Sequence, residues 1–230
     1  MVPESELTSS AQESEPKIAP RILLFYDYAC PFCYVDQFRF DRLVSERDVD
    51  IVLVPFELRP DMPDEGYSVS ELEAAGMDHG HIEEHLRDLS LREGFPLTIP
   101  PFLPKTHLAL VWGEMARDRG IAEHMAIHHV IFRAYFGDGA DIGSREFLLG
   151  LASAYGYDPD ELALAWDDGI YDERLHQFRH VAMQLGIEST PAALVCNELL
   201  IGSRPYRNIQ DALDRCIVTP ENIESLAAEA

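Results

Sequence analysis

The sequence predicts an α/β protein in which a β-α-β unit and a β-β-α unit are separated by a large all-helical insertion. Two buried-strand patterns near the N-terminus, Arg21–Asp27 and Asp50–Pro55, enclose a helical pattern. A long stretch without a convincing strand follows them. Short apolar runs return at Ala192–Cys196 and Leu199–Ile201, ahead of another helix.

The first unit begins with Arg21–Asp27 (RILLFYD), a continuous apolar run typical of a strand buried on both faces. The following helix is expected to start at Pro31, with Val35, Phe38 and Leu43 near helical spacing. Because a helix joins the two strands of this unit, we expect them to be parallel.

In the insertion, Ser70, Ser144 and Asp158 are candidate helix N-caps, and Pro159 occupies a first helical position. Two amphipathic segments, HLALVWGEMARDRG and AEHMAIHHVIFRAYF, end at glycine. These signals predict a succession of helices and no sheet.

The second unit is expected to contain a hairpin turn at Asn197-Glu198, a helix near Asn208–Ile217 and a short terminal helix capped by Thr219. The expected organisation is a disordered acidic tail (1–19), a first fold unit (20–66), the helical insertion (67–186), a second fold unit (187–218) and a C-terminal helix or tail (219–230).

The composition limits the compartment and the partners. The formal net charge is −23, which argues against nucleic acid and anionic membranes, since both bind basic surfaces. The N-terminal segment lacks the basic start and apolar centre of an export signal. No apolar run approaches the roughly 18 residues of a membrane span. We expect a cytoplasmic protein, and both a monomer and a homodimer are compatible with the sequence.

The stretch FYDYACPFCYV carries a Cys-Pro-Phe-Cys pair before the expected helix. If the helix begins at Pro31, Cys30 is its cap, and its sulfur lies near unpaired amides and the positive end of the helix dipole. Both favour the thiolate, which is the nucleophile. Cys33 lies on the same helix face, so Cys30 is expected to attack a disulfide and Cys33 to resolve the mixed intermediate.

The pair also has two other interpretations, a zinc site and a purely structural pair. A tetrahedral zinc site generally needs a second cysteine pair, and Cys196 and Cys216 are too widely spaced to provide one. A purely structural pair is the other alternative. Phe32 cannot donate a hydrogen bond or a positive charge to the Cys30 sulfur, so we expect a moderately lowered Cys30 pKa and a potential below that of a strong oxidant.

Thr190-Pro191 immediately precedes the returning strand in GIESTPAALVC. A proline at the first residue of a strand loses no ladder hydrogen bond, so a simple strand start is one interpretation. The other is a cis Thr190–Pro191 bond facing the cysteines, where it exposes backbone groups to an extended partner peptide and excludes a metal from the sulfurs.

Four motifs occur in order: FYDYACPFCY, PFELRPDMPDEG, FRAYFGDGADI and GIESTPAALVCNELLIGSRPY. Together they resemble the DsbA-like group of the thioredoxin superfamily over roughly residues 20–217. The FrnE-like branch, which is similar to 2-hydroxychromene-2-carboxylate isomerases and kappa-class glutathione transferases, is the most similar. The resemblance implies an α/β thioredoxin fold with a large inserted all-helical subdomain.

The resemblance also implies a protein disulfide oxidoreductase that works by dithiol–disulfide exchange through Cys30 and Cys33 beside cis-Pro191. Its partners would be protein or small-molecule thiols and disulfides, with no cofactor except glutathione as an optional co-substrate. Leu24 stands where many relatives carry a buried acid, and Asp27 is nearer the pair, so the role of Asp27 as a base stays open. Phe32 also departs from the branch, which usually has Trp in this dipeptide.

Two rival classes remain. One is a glutathione-dependent isomerase or transferase, whose members typically carry serine in place of the first cysteine; Cys30 argues against it. The other is a holdase-like binding module that would use apolar positions of the insertion, which are more simply explained as core residues. Those positions are Phe102, Leu103 and Trp112.

The remaining candidate ligands do not predict a site. The histidine pairs 81/85 and 124/128 are each one helical turn apart, with His129 beside the second pair, but no third ligand is evident except Glu84. We therefore predict no metal. Cys196 and Cys216 are expected to be buried free thiols, with a second redox pair between them as the alternative.

Overall fold

The computed structural model describes residues 19–76 and 79–216. Its first unit consists of strand β1 (Arg21–Tyr26), helix α1 (Pro31–Glu46) and strand β2 (Asp50–Pro55). The strands are parallel and in register, from Arg21 opposite Asp50 to Tyr26 opposite Pro55. The expected start of the helix at Pro31 is confirmed.

The insertion contains seven α-helices and one π-helical turn among the described residues, together with a two-stranded ladder that was not expected. The elements are β3 (Tyr67–Ser68), α2 (Val69–Ala74), α3 (His79–Glu93), β4 (Phe102–Leu103), α4 (His107–Asp118), α5 (Ile121–Phe132) with the π-helix Arg133–Gly137, α6 (Arg145–Ala154), α7 (Pro159–Asp167) and α8 (Asp172–Gln184).

The N-caps follow the expected chemistry at two of three positions. The Ser144 and Asp158 side chains accept hydrogen bonds from the first turns of α6 and α7. The prediction of Ser70 as a cap was wrong, because Ser68 caps α2. The Ser68 hydroxyl accepts from the Glu71 amide while the Glu71 carboxylate accepts from the Ser68 amide, and this reciprocal pair is available only to a serine three residues before the glutamate.

The second unit consists of β5 (Ala192–Val195), β6 (Glu198–Ile201) and α9 (Tyr206–Asp214). It completes a four-stranded sheet in the order β2-β1-β5-β6, with β5 antiparallel to both neighbours. The predicted thioredoxin-type arrangement is therefore confirmed. Expectations for the acidic tail and for a helix capped by Thr219 concern residues outside the described ranges. No helix within those ranges is long and apolar enough to cross a membrane.

The sheet brings together two distant segments at one edge. Cys30 lies just after β1, and Pro191 lies just before β5. Phe25 near the end of β1 is opposite Ala192 at the start of β5, because these strands are antiparallel. Cys30 and Thr190 therefore meet although 160 positions separate them in the chain.

A buried arginine fixes α1 against the rest of the molecule. The Arg39 guanidinium contacts Asp36 in α1, Glu93 in α3, and the Ser203 hydroxyl and Arg204 carbonyl after β6, at 2.5–3.0 Å. A buried charge is tolerated only when it is paired and hydrogen-bonded, as it is here. This network holds the cysteine helix to both the insertion and the second unit.

Candidate active site

Cys30 caps helix α1 as expected, with extended backbone angles and Pro31 in the first helical turn. Its carbonyl accepts from the Cys33 and Tyr34 amides at 3.1 and 3.3 Å. The Cys30 thiol caps no helical amide; it donates instead to the Thr190 carbonyl oxygen at 3.3 Å. Both cysteines are free thiols.

The surroundings of the two thiols shift their pKa values in opposite directions. Burial raises the pKa of Cys30, but the Cys33 and Thr190 side chains and the Cys33 amide can donate to its thiolate and outweigh burial, so the pKa is lowered. Burial, reinforced by the hydrogen bond to Cys30 and by Coulomb repulsion from it, raises the pKa of Cys33 well above its usual range. This asymmetry is the one expected for an attacking and a resolving thiol.

The Thr190–Pro191 peptide bond is cis. The Pro191 carbonyl accepts from the Gly202 amide at 2.8 Å, which ties this junction to the end of β6. The Thr190 hydroxyl oxygen is buried and has no hydrogen-bond partner in the described structure. It is therefore available as a donor when Cys30 is ionised.

Asp27 lies beneath the pair and is 2% exposed. Its carboxylate accepts from the Ala29 amide at 3.0 Å and from the Leu58 amide at 2.7 Å. Burial raises its pKa despite these bonds and one from the Thr106 side chain, and repulsion from Glu57 raises it further. A carboxyl group of raised pKa takes up a proton more readily than an ordinary aspartate. Leu24, by contrast, is a core residue of β1.

Cys30 is only 6% exposed, but it lines a cavity of about 270 Å³ that gives access to its sulfur. The walls are mainly apolar and come from α1, α2, α3, β4, the π-helix and the segment after β2, with Arg59 and Glu83 as the charged lining residues. Phe32 lines both this cavity and a second, more polar one on the side of Arg39. Cys30, but not Cys33, therefore faces a predominantly apolar cavity.

The apolar positions considered for a binding module divide into two groups. Trp112 is fully buried in α4, as a core residue should be. Phe102 and Leu103 are half-buried in β4 and form part of the cavity wall beside Cys30, a position that helical spacing alone could not indicate.

The expectation that Cys196 and Cys216 are free thiols was wrong, because a disulfide joins them. Strand β5 ends at Val195, and Cys196 begins a two-residue turn with φ of 53°. This turn takes Cys196 out of the strand and towards the residues that follow α9, where Cys216 lies. The Cα atoms are 5.9 Å apart, within the range of protein disulfides.

Two of the three histidines of α5, His124 and His128, are buried, and His129 lies at the surface. His124 and His128 are buried beside Tyr26, with His124 Nε2 3.4 Å from the tyrosine hydroxyl. Burial lowers the pKa of His124 to about 3, so it is neutral. His129 pairs with Asp41 at 3.1 Å. Across residues 19–76 and 79–216, no group of three or more His, Cys, Asp or Glu is arranged to hold a metal ion.

Sequence reasoning missed Thr106 and Glu57, which interact with Asp27, and His107, which contacts Glu57. Glu57 is buried and its carboxylate lies 3.2 Å from His107 Nδ1. A buried acid in PFELRPDMPDEG, directly after a strand, was an available signal. Thr106 and His107 come from the insertion and carry no local signal.

The chain is similar to known proteins both in its sequence and in its fold. Residues 21–214 match the family described as "DSBA-like thioredoxin domain". The structure is similar to a probable DsbA oxidoreductase from Streptomyces coelicolor, with TM-score 0.73, 24% identity and coverage of 87% of this chain and 92% of that one.

Two further solved structures share the fold. One is a 2-hydroxychromene-2-carboxylate isomerase, with TM-score 0.71, 17% identity and coverage of 85% and 95%. The other is the cytosolic disulfide reductase DsbM from Pseudomonas aeruginosa with glutathione, with TM-score 0.61, 16% identity and coverage of 85% and 100%.

Proposed function

Because the chain belongs to the DSBA-like thioredoxin domain family, we propose that it is a thiol–disulfide oxidoreductase acting through Cys30 and Cys33. One observation carries the proposal. Cys30 combines a helix N-cap position and a lowered pKa with a thiol partner three residues away, and its sulfur lies 3.3 Å from the carbonyl before cis-Pro191.

In the proposed reaction, the Cys30 thiolate attacks one sulfur of a substrate disulfide. A mixed disulfide forms and the other substrate sulfur leaves as a thiolate. Cys33 then loses its proton and attacks the Cys30 sulfur, which releases the second substrate thiolate and leaves a Cys30–Cys33 disulfide. The reverse sequence oxidises a substrate dithiol. The Thr190 carbonyl, freed from the Cys30 thiol, can accept from an extended substrate backbone.

The proposed partners are protein or small-molecule thiols and disulfides. Glutathione is a co-substrate candidate, since the similar DsbM structure contains it. We propose a cytoplasmic location, which the cytosolic description of the similar DsbM structure supports. The exchange chemistry itself requires no further cofactor.

A glutathione-dependent isomerase or transferase is the second candidate. The shared fold of the isomerase structure and the apolar cavity beside Cys30 favour it. In that reaction a bound glutathione thiol would do the chemistry, so Cys33 would have no covalent role.

Replacement of each cysteine separates the two candidates. The Cys33→Ser variant should lose turnover with a glutathione-containing disulfide and accumulate one mixed disulfide on Cys30, detected as a mass increase. Cys30→Ser should form no adduct and serves as the matched control. Undiminished turnover in Cys33→Ser would overturn the oxidoreductase proposal, and isomerase activity in that variant would support the second candidate.

A further inference from the structure

Two buried carboxylates near the cysteine pair, Asp27 and Glu57, are close enough to repel each other electrostatically. Asp27 directly follows β1 and Glu57 is the second residue after β2; the amide of Leu58, next to Glu57, donates to the Asp27 carboxylate at 2.7 Å. Glu57 is 8% exposed. Its Oε1 atom is buried and has no hydrogen-bond partner among the described residues. A buried carboxylate oxygen without a donor is costly unless it has a use.

The start of α4 contacts both carboxylates with consecutive residues. The Thr106 side chain hydrogen-bonds to Asp27, and His107 Nδ1 lies 3.2 Å from Glu57 Oε2. The opposite ring nitrogen, His107 Nε2, lies 3.2 Å from Asp172 Oδ1 at the start of α8. The imidazole therefore bridges a buried acid and a surface acid.

Exposure increases steadily along this series of groups. The side chain of Glu57 is 8% exposed, that of His107 is 25% exposed and that of Asp172 is 43% exposed. Cys33 and Asp27 have no comparable access to water. A proton taken up by Asp27 must still reach solvent before Asp27 can accept another, and neither Asp27 nor Cys33 contacts enough water to release it directly.

We propose that Glu57, His107 and Asp172 form a proton path that connects Asp27, and through it the Cys33 thiol, to solvent. The path rests on the proposed function, because it serves the resolution step. Asp27 accepts the Cys33 proton, Glu57 and His107 transfer it outward, and Asp172 delivers it to water. Glu57, His107 and Asp172 act through Asp27 and touch no reacting sulfur.

In the resolution step, each proton and each electron pair has a defined destination. Cys33 gives its S–H proton to the Asp27 carboxylate, and its sulfur electron pair forms the bond to Cys30. The bond between Cys30 and the substrate sulfur breaks, and the substrate leaves as a thiolate. The imidazole accepts a proton at Nδ1 from Glu57 and releases one at Nε2 to Asp172, so the ring ends in the state in which it began after a tautomer shift.

The charged groups around the path favour the protonated form of His107. The hydrogen bond to Glu57 raises the pKa of His107 against the effect of its partial burial, and Asp172 raises it further. Groups that face His107 from the surrounding segments are Glu57, Asp172, Asp64 and Lys105. Groups that face Asp27 are Glu57, Cys30, Tyr26 and Tyr135.

A two-phase reaction with Ellman's reagent tests the path. The fully reduced dithiol, with Cys196–Cys216 intact, is mixed with less than one equivalent of reagent. Attack by Cys30 releases one coloured thiolate, and attack by Cys33 releases the second. The rate of the first phase depends on the Cys30 thiolate, and the rate of the second phase depends on deprotonation of Cys33. In every variant the first-phase rate therefore serves as the internal reference for the second.

We expect His107→Gln and Glu57→Gln to slow the second phase by about tenfold or more near neutral pH, because general base assistance is worth at least this much. The first phase should change by less than about twofold, because Cys30 attack does not use the path. In both variants the second-phase rate should rise steeply with pH, since hydroxide replaces the path. Asp172→Asn should show a weaker effect of the same kind.

His129→Gln is the matched control, because it breaks another histidine–aspartate contact of 3.1 Å, with Asp41, away from the cysteines. It should leave both phases unchanged. A second phase equal to wild type in His107→Gln and Glu57→Gln at every pH, or an equal loss in both phases, would overturn the path. Absence of the first phase in the wild type would instead refute the oxidoreductase function.

Discussion

Removal of the Cys196–Cys216 disulfide should substantially destabilise the fold. The two cysteines are 20 residues apart in the sequence, and the chain segment between them contains β6 and α9. The chain-entropy relation for a loop of this length gives about 3 kcal/mol of free energy of unfolding. For a chain of this size, that corresponds to a melting temperature lower by about 6–12 °C.

Urea unfolding of three samples provides the measurement: oxidised wild type, reduced wild type and the double variant Cys196→Ala/Cys216→Ala. Reduced wild type and the variant should agree and lie about 3 kcal/mol below the oxidised protein. All three samples carry Cys30→Ser and Cys33→Ser, because the proposed active pair would otherwise respond to reductant as well, and in this background reductant should not affect the Cys196→Ala/Cys216→Ala variant. A difference below about 1 kcal/mol would refute the reasoning, as would a variant that responds to reductant.

Two other changes test the local electrostatics. Phe32→His places a hydrogen-bond donor and a positive charge beside the Cys30 sulfur, so the Cys30–Cys33 pair should become more oxidising in equilibrium with glutathione. The reduction potential of the wild type should lie below the roughly −120 mV of a strong oxidant. Equal potentials for the variant and the wild type would contradict this. The contacts of His107 raise its pKa above 6.5, so their stabilisation is fully present below that pH and is lost as pH rises through the raised value. The stability difference between wild type and His107→Gln should therefore shrink at alkaline pH in urea titrations, and a constant difference would argue against it.

The parts of the fold that could be predicted are those whose signal is local. The run Arg21–Asp27, the proline at position 31 and the spacing of Cys30 and Cys33 each act within a few residues, and the structure places them as expected. The one incorrect cap shows the same principle, since Ser68 and Ser70 differ only in which has Glu71 three residues later.

The features that could not be predicted depend on long-range geometry. A cysteine in an apolar run looks like a buried thiol until the turn at Cys196 directs it towards Cys216. The contact between Glu57 and His107 spans 50 residues, and the one between His107 and Asp172 spans 65. No local pattern encodes these distances.

The location of Thr190 against Cys30, 160 residues apart, has a consequence for biosynthesis. A chain emerging from the ribosome presents Cys30 and Cys33 early, while the strand that follows Pro191 is still to be translated. Contacts of such long sequence separation form late, because the intervening chain must first be ordered. During most of translation, the two thiols are thus exposed to cellular oxidants without the segment that completes their surroundings.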